Sequence, residues 1–280
     1  MRRATARLAL TLLVAVLAGC GKKGRNYDIP FDPSVPDVQV DSMIRDMERL
    51  KGLSLSGATE EDTRTLGVSD FSGGTLFSWL RERVKVIVGE SYDFKKHYTV
   101  ASSSSGLRPQ IAAEGDEIVT VMENVGSYLY LVGTKASTVI DLDVNGSTVR
   151  INTPRVGIVR IGEGLFSGSR FPNTPVDGEV RSLVRLGVLF HEARHSDGNG
   201  AHVVFPHATC PSGTYANRSA CENNSNGPYA VQYRLASLFY QNCGSCTAGE
   251  LQALYNLLTD YKSRIFQGAQ YRDPRPEVLR

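Results

Sequence analysis

The strongest constraint in this 280-residue chain is an apolar run, Leu183-Val184-Arg185-Leu186-Gly187-Val188-Leu189-Phe190, that leads directly into His191-Glu192-Ala193-Arg194-His195. A helix that is apolar on nearly every side has to lie inside a core rather than on a surface. Two imidazoles and a carboxylate then follow on the same helix, and burying such groups is costly unless they are paired or metal-bound. Positions i and i+4 share a helix face, so His191 and His195 can reach one ion, with Glu192 beside them. His191, His195, His202 and His207, four of the five histidines, fall within seventeen residues. The fifth, His97, follows two lysines and reads as a solvated or structural histidine.

Around this helix the pattern predicts an α+β chain, a mixed β-sheet followed by helices. Val38–Leu50 has helical spacing with Gly52 as a stop, and residues 75–88 read as a helix running into a strand. Residues 101–106 (ASSSSG) read as a flexible loop. Short β-rich segments follow at 117–125, 128–132, 139–144, 147–151 and 156–161. Asn145-Gly146 between two of them is the strongest hairpin signal, because a type I′ turn needs positive φ at both central residues. Helices are expected at 179–196, 229–241 and 247–266. Pro228 suits the start of the second, and Thr247 with Glu250 forms a capping box at the third.

The N-terminus is a separate object. Arg2, Arg3 and Arg7 precede an apolar stretch from Leu8 to Ala18, too short for an ordinary transmembrane helix. Its end, Leu17-Ala18-Gly19-Cys20, resembles the lipobox of bacterial lipoproteins. That resemblance implies cleavage before Cys20, lipidation of Cys20, and a lipid-anchored place in the bacterial cell envelope, at the outer membrane or the periplasmic face. The expected organisation is a signal peptide at 1–19, a lipidated cysteine and proline-containing tether at 20–37, an α/β subdomain at 38–105 and a metal-binding domain at 106–280.

Composition then has to be read without the leader. The whole chain carries 31 Lys+Arg, 29 Asp+Glu and 41% hydrophobic residues. Those totals exclude a broadly basic nucleic-acid binder and a chain that is disordered throughout. Residues 1–19 hold three arginines and no acid, so their removal moves the formal charge from +2 to −1. Four cysteines remain beyond Cys20, and an even number in an exported chain favours disulfides, Cys210–Cys221 and Cys243–Cys246 by proximity. A four-cysteine zinc site is the rival, but the eleven-residue spacing of the first pair is unlike the usual short-spaced pairs.

The motif His191-Glu192-x-x-His195 resembles that of the zincin metallopeptidases, closely over residues 178–202 and only in general architecture over 117–266. The resemblance implies a zincin-like fold, zinc on His191 and His195, and Glu192 as general base for water attacking a zinc-polarised peptide carbonyl. A peptide or protein would be the substrate, with the membrane met through the N-terminal lipid. The third ligand departs from the family pattern. Gly198 stands where the metzincin motif wants glycine, but Ala201 holds the next ligand position, and no methionine follows the motif. His202, one residue late, is the first choice, because Gly198-Asn199-Gly200 can turn the chain back. His207 and Asp197 are the alternatives, and Asp260 is a more distant acid. If His202 and His207 both coordinate, four histidines close the site and leave a non-catalytic structural zinc; a cell-wall amidase is a third class. Asp197 can also serve behind a ligand histidine, and Arg194 faces elsewhere, anchoring the helix by a salt bridge. Tyr215, Tyr229 and Tyr233 are candidates for oxyanion stabilisation or for aromatic packing. Residues 157–166 are a candidate edge strand for holding an extended peptide, or an ordinary core strand.

Overall fold

A computed structural model of the chain describes residues 27–92, 98–103, 110–114, 127–133, 138–144, 146–152, 157–166, 178–197 and 205–273. The leader, Cys20, the segment expected as a strand at 117–125, His97 and His202 lie outside these residues. Among the described residues the chain is α+β, with six α-helices and three small sheets.

Three helices come first: α1 (Asp37–Lys51), α2 (Glu60–Leu66) and α3 (Gly73–Arg83). In α1 the apolar positions repeat every three to four residues, and Val40, Met43, Met47 and Leu50 are all buried. Thr59 caps α2 through a reciprocal capping box with Asp62, and the left-handed Gly67 ends it. A mixed four-stranded sheet has the order β1-β7-β4-β3, from β1 (Val86–Val88), β3 (Gln110–Glu114), β4 (Ser127–Gly133) and β7 (Ile158–Ile161). A second sheet, in the order β2-β5-β6, joins β2 (Tyr98–Ser103), β5 (Thr138–Val144) and β6 (Ser147–Asn152). Val144 pairs with Ser147 across the expected two-residue turn, and Gly146 has φ 74°.

The long helix α4 (Glu179–His195) packs on α1, α3, β4 and β7, and on α5 (Pro228–Asn242) and α6 (Ala248–Ser263). The third sheet, β10-β9-β8, covers the far end: β8 (Ala208–Thr209), β9 (Ser219–Asn224) and β10 (Ile265–Gln270). Both disulfides are present, Cys210–Cys221 and Cys243–Cys246, so a four-cysteine metal site is excluded.

Four expectations need correction. The serine-rich 101–103 is part of β2, because pairing with β5 supplies the order its own side chains do not. The segment 157–166 is not an edge: β7 sits between β1, in parallel, and β4, antiparallel, so both its backbone edges are occupied. The helix expected to reach residue 266 stops at Ser263, where Arg264 turns the chain and Ile265 opens β10. The tether is shorter than expected: Ile29, Phe31 and Val35 are fully buried, and Asp32 N–H donates to the Ile87 carbonyl. One apolar cluster runs from Ile29 to Leu238, across the 105/106 position.

Inside that cluster, Arg185 of α4 is 0% exposed and forks onto Asp46 of α1, with Nη2 3.0 Å from Oδ1. Removing one partner leaves a buried charge alone, so Asp46→Ala should cost about 3–5 kcal/mol. Thermal unfolding should show the loss, and Asp46→Leu combined with Arg185→Met should recover most of it.

Candidate metal centre

Every residue of α4 from Val180 to His195 is buried, so each polar side chain on it needs a partner inside the protein. The two arginines nearest the middle and end solve this with acids. Arg185 has Asp46; Arg194 donates to Asp197 Oδ2 at 2.9 Å and to the Thr65 and Leu66 carbonyls. Asp197 also receives Arg83 Nε at 3.0 Å, so its carboxylate is held between two guanidinium groups. It therefore neither joins the histidines as a ligand nor backs one of them. Arg194 does anchor the helix by a salt bridge, as its direction implied.

The histidines have each other. His191 and His195 stand one turn apart on α4, and His207 enters from the segment just before β8. Their Nε2 atoms form a triangle: His191–His207 3.2 Å, His191–His195 3.3 Å and His195–His207 3.0 Å. Among the described residues these three are the buried donor group able to hold a metal; Glu192 is 1% exposed beside them but is not one of the converging donors. Asp260 is committed to Arg264 at 2.7 Å.

The donor set fits zinc in both chemistry and spacing. Gln232 Oε1 lies 2.9 Å from His191 Nδ1, which assigns the proton to Nδ1 and leaves a bare lone pair at Nε2. Burial, reinforced by His195 and His207, holds the His191 pKa well below 6.5. Burial likewise lowers His195 to about 4, against an opposing contribution from the Phe205 backbone. His207 is lowered for the same first reason, then by His195 and Arg264, with the Cys221 backbone opposing. Three neutral imidazoles thus aim nitrogens at one point, which is unfavourable without a cation. Zinc–nitrogen bonds of about 2.0–2.1 Å at tetrahedral angles place the nitrogens about 3.3 Å apart, close to the distances seen.

Two devices put His207 there. The Cys210–Cys221 disulfide and the Ala208–Cys221 pairing fix the short β8 against β9. Tyr229, at the start of α5, supports the rings from behind, its centroid 4.6 Å from His191 and 5.2 Å from His207. Its hydroxyl is turned to Arg264 Nη1 at 2.7 Å, while Tyr215 donates to Asp260 and Tyr233 lies against Arg234 and Lys262. All three tyrosines are thus engaged in packing and ion-pair surroundings.

Two contributors had little sequence signal. Gln232 is the lone polar residue in the buried stripe Tyr229, Gln232, Ala236 of an acid-free helix, and that oddity is the clue that could have found it. Glu222 is fully buried and accepts the Tyr229 N–H through Oε1 at the start of α5. Burial pushes its pKa up to about 8, despite those backbone donors and the nearby Arg194 and Arg264. Gly227 has to be small here, since a Cβ would lie 2.5 Å from Glu222 Oε2.

The chain matches none of the known protein families, curated proteins or solved structures compared with it, so the site stands on its own geometry.

If the triangle takes up a metal, Gln232→Ala should weaken that binding by about 10–100-fold in a chelator competition, the usual effect of removing the group behind a ligand histidine. The pH dependence of the metal-free protein should have two limbs. The histidines are neutral when folded and take protons from 6.5 downward when unfolded, so stability falls as pH drops from 6.5 towards about 4. Glu222 is neutral when folded but ionises from 4.5 upward when unfolded, so its contribution falls as pH rises towards about 8. Urea unfolding across this range should show both limbs, with Glu222→Gln flattening only the second.

Proposed function

We propose that this chain is a zinc-dependent hydrolase, related in active-site design to the zincin metallopeptidases, that acts on peptide bonds. The observation that carries the reading is the triangle of Nε2 atoms at 3.0–3.3 Å, on the helix that also carries Glu192. His191, His195 and His207 would hold the ion, a three-ligand set of the kind that leaves zinc open to water or substrate. When bound, zinc supplies Lewis-acid polarisation at that position. Gln232 fixes the His191 ring and its tautomer. Glu192 has the role of base, taking a proton at its carboxylate from the attacking water and passing it to the leaving amine. Its burial within α4 limits competing water there.

The resemblance at Leu17-Ala18-Gly19-Cys20 extends the proposal to a lipid-anchored protein of the bacterial cell envelope. The two disulfides support an oxidising compartment. Among the described residues no helix is long and apolar enough to cross a membrane.

A second reading, a closed structural zinc, draws on the depth of the site: His191 and His195 are 3% and 1% exposed. His202 as a fourth donor would complete it. X-ray absorption of the zinc-loaded protein separates the two, three nitrogens plus oxygen for the open site and four nitrogens for the closed one. Purified protein should carry about one zinc per chain. His207→Ala should lose most of it, whereas His202→Ala should keep it. Glu192→Gln should retain zinc but lose peptide hydrolysis by at least about 100-fold; full activity in that variant would remove Glu192 from the mechanism.

A further inference from the structure

The two disulfides occupy opposite environments. Cys210 and Cys221 are 1% and 5% exposed, sealed beneath the β8–β9 pair. Cys243 and Cys246 are half-exposed on the turn between α5 and α6, and only Gly244 and Ser245 separate them. A bridge over so short a loop constrains little chain, so stabilising the fold is a weak reason for it.

Two further features converge on this bridge. Glu179, at the exposed start of α4, places Oε2 2.9 Å from Cys243 Sγ and 3.7 Å from Cys246 Sγ. Ser245 Oγ donates to the other carboxylate oxygen at 3.0 Å and holds it against the sulfurs. Next to the bridge opens a cavity of about 180 Å³, lined on one side by Leu53, Leu183, Phe239 and Leu254 and also by Arg49 and Asn242. The volume suits one aliphatic or aromatic side chain. Cys246 directly precedes Thr247, the N-cap of the sixteen-residue α6, so a thiolate left on Cys246 faces the positive end of that helix.

We propose that Cys243–Cys246 is a thiol–disulfide exchange site for peptide thiols with an apolar neighbour, and that Glu179 handles the proton. An incoming thiol gives its proton to Glu179 Oε2 as its sulfur attacks Cys243 Sγ. The Cys243–Cys246 bond breaks, the mixed disulfide forms on Cys243, and the electron pair leaves on Cys246 as thiolate. A second thiol then attacks the substrate sulfur of the mixed disulfide. Substrate disulfide forms, Cys243 leaves and recovers the proton from Glu179, and the second thiol's proton goes to Cys246. Two thiols are oxidised to one disulfide and one protein disulfide is reduced to a dithiol. The leucines and Phe239 of the cavity take the side chain next to the reacting cysteine, a contact that glutathione lacks and the peptide makes.

The test uses the full chain with two probes, reduced glutathione and an acetylated Leu-Cys-Phe peptide amide, followed by alkylation and mass mapping. Cys243–Cys246 should open while Cys210–Cys221 stays closed, and the peptide should react at least about tenfold faster than glutathione at equal thiolate concentration. Glu179→Gln should slow the peptide reaction about tenfold at neutral pH, with the deficit shrinking at alkaline pH where the thiol is already ionised. Ser245→Ala, which frees the carboxylate without altering α4, should move the rate in the same direction. Cys246→Ser, which has no bridge for a thiol to open, should leave the peptide thiol unoxidised. Equal resistance of both disulfides, no preference for the peptide, or rates unchanged in both Glu179→Gln and Ser245→Ala would overturn the proposal and leave the bridge a structural staple.

Discussion

The protein depends on burying one polar-laden helix. Between Val180 and His195 every residue of α4 is buried, yet Arg181, Arg185, Glu192, Arg194 and two histidines lie in that span. Charged and polar groups in a core are tolerated only where partners meet them, and much of the surrounding architecture supplies those partners. α1 brings Asp46 to Arg185, α3 brings Arg83 to Asp197, and the Phe166 carbonyl accepts from Arg181. The end of α2 offers two carbonyls to Arg194. Trp79 of α3 stacks on Phe190 at 5.1 Å, closing the apolar side of the helix next to the motif. The two histidines are turned instead towards each other and His207.

That contrast separates two kinds of buried polarity. Each of these arginines meets a carboxylate, Asp46 for Arg185 and a shared Asp197 for Arg83 and Arg194. The histidine triangle is different: three Nε2 atoms meet at 3.0–3.3 Å, and no acid is among the converging donors of the described residues. Lowered pKa values prevent the set from completing itself by protonation over the neutral range. A divalent cation is the simplest group that makes all three favourable at once, and this is the physical content of the zinc proposal.

Local signals carried well from sequence to structure. The apolar periodicity of α1 and α5, Pro228 at the first turn of α5, the Thr247–Glu250 capping box and the Asn145-Gly146 hairpin all involve residues within a few positions of one another. His191, Glu192 and His195 were legible for the same reason. Long-range choices were not. Asp197 looked available to the histidines until Arg83, 114 residues away, claimed it. Ile29, Phe31 and Val35 looked like part of a tether because nothing nearby shows that β1 and α1 need covering. The serines of β2 have no strand preference of their own and take their conformation from β5.

His207, one of the alternatives offered by the sequence, shows why its place in the triangle is hard to read there. Its distance along the chain from His195 is a poor guide, because its position is set by what holds the segment in place. Downstream, β8 is pinned to β9 through Ala208–Cys221 and through the Cys210 disulfide. Behind it stands Tyr229, whose helix begins on the buried carboxyl of Glu222, itself one residue from Cys221. The same helix carries Gln232 to His191 three residues later. The C-terminal hairpin and α5 therefore complete the triangle together, and α4 alone presents only two of its corners. On the proposed zinc reading, affinity should depend on the packing of residues 205–232 as much as on the motif.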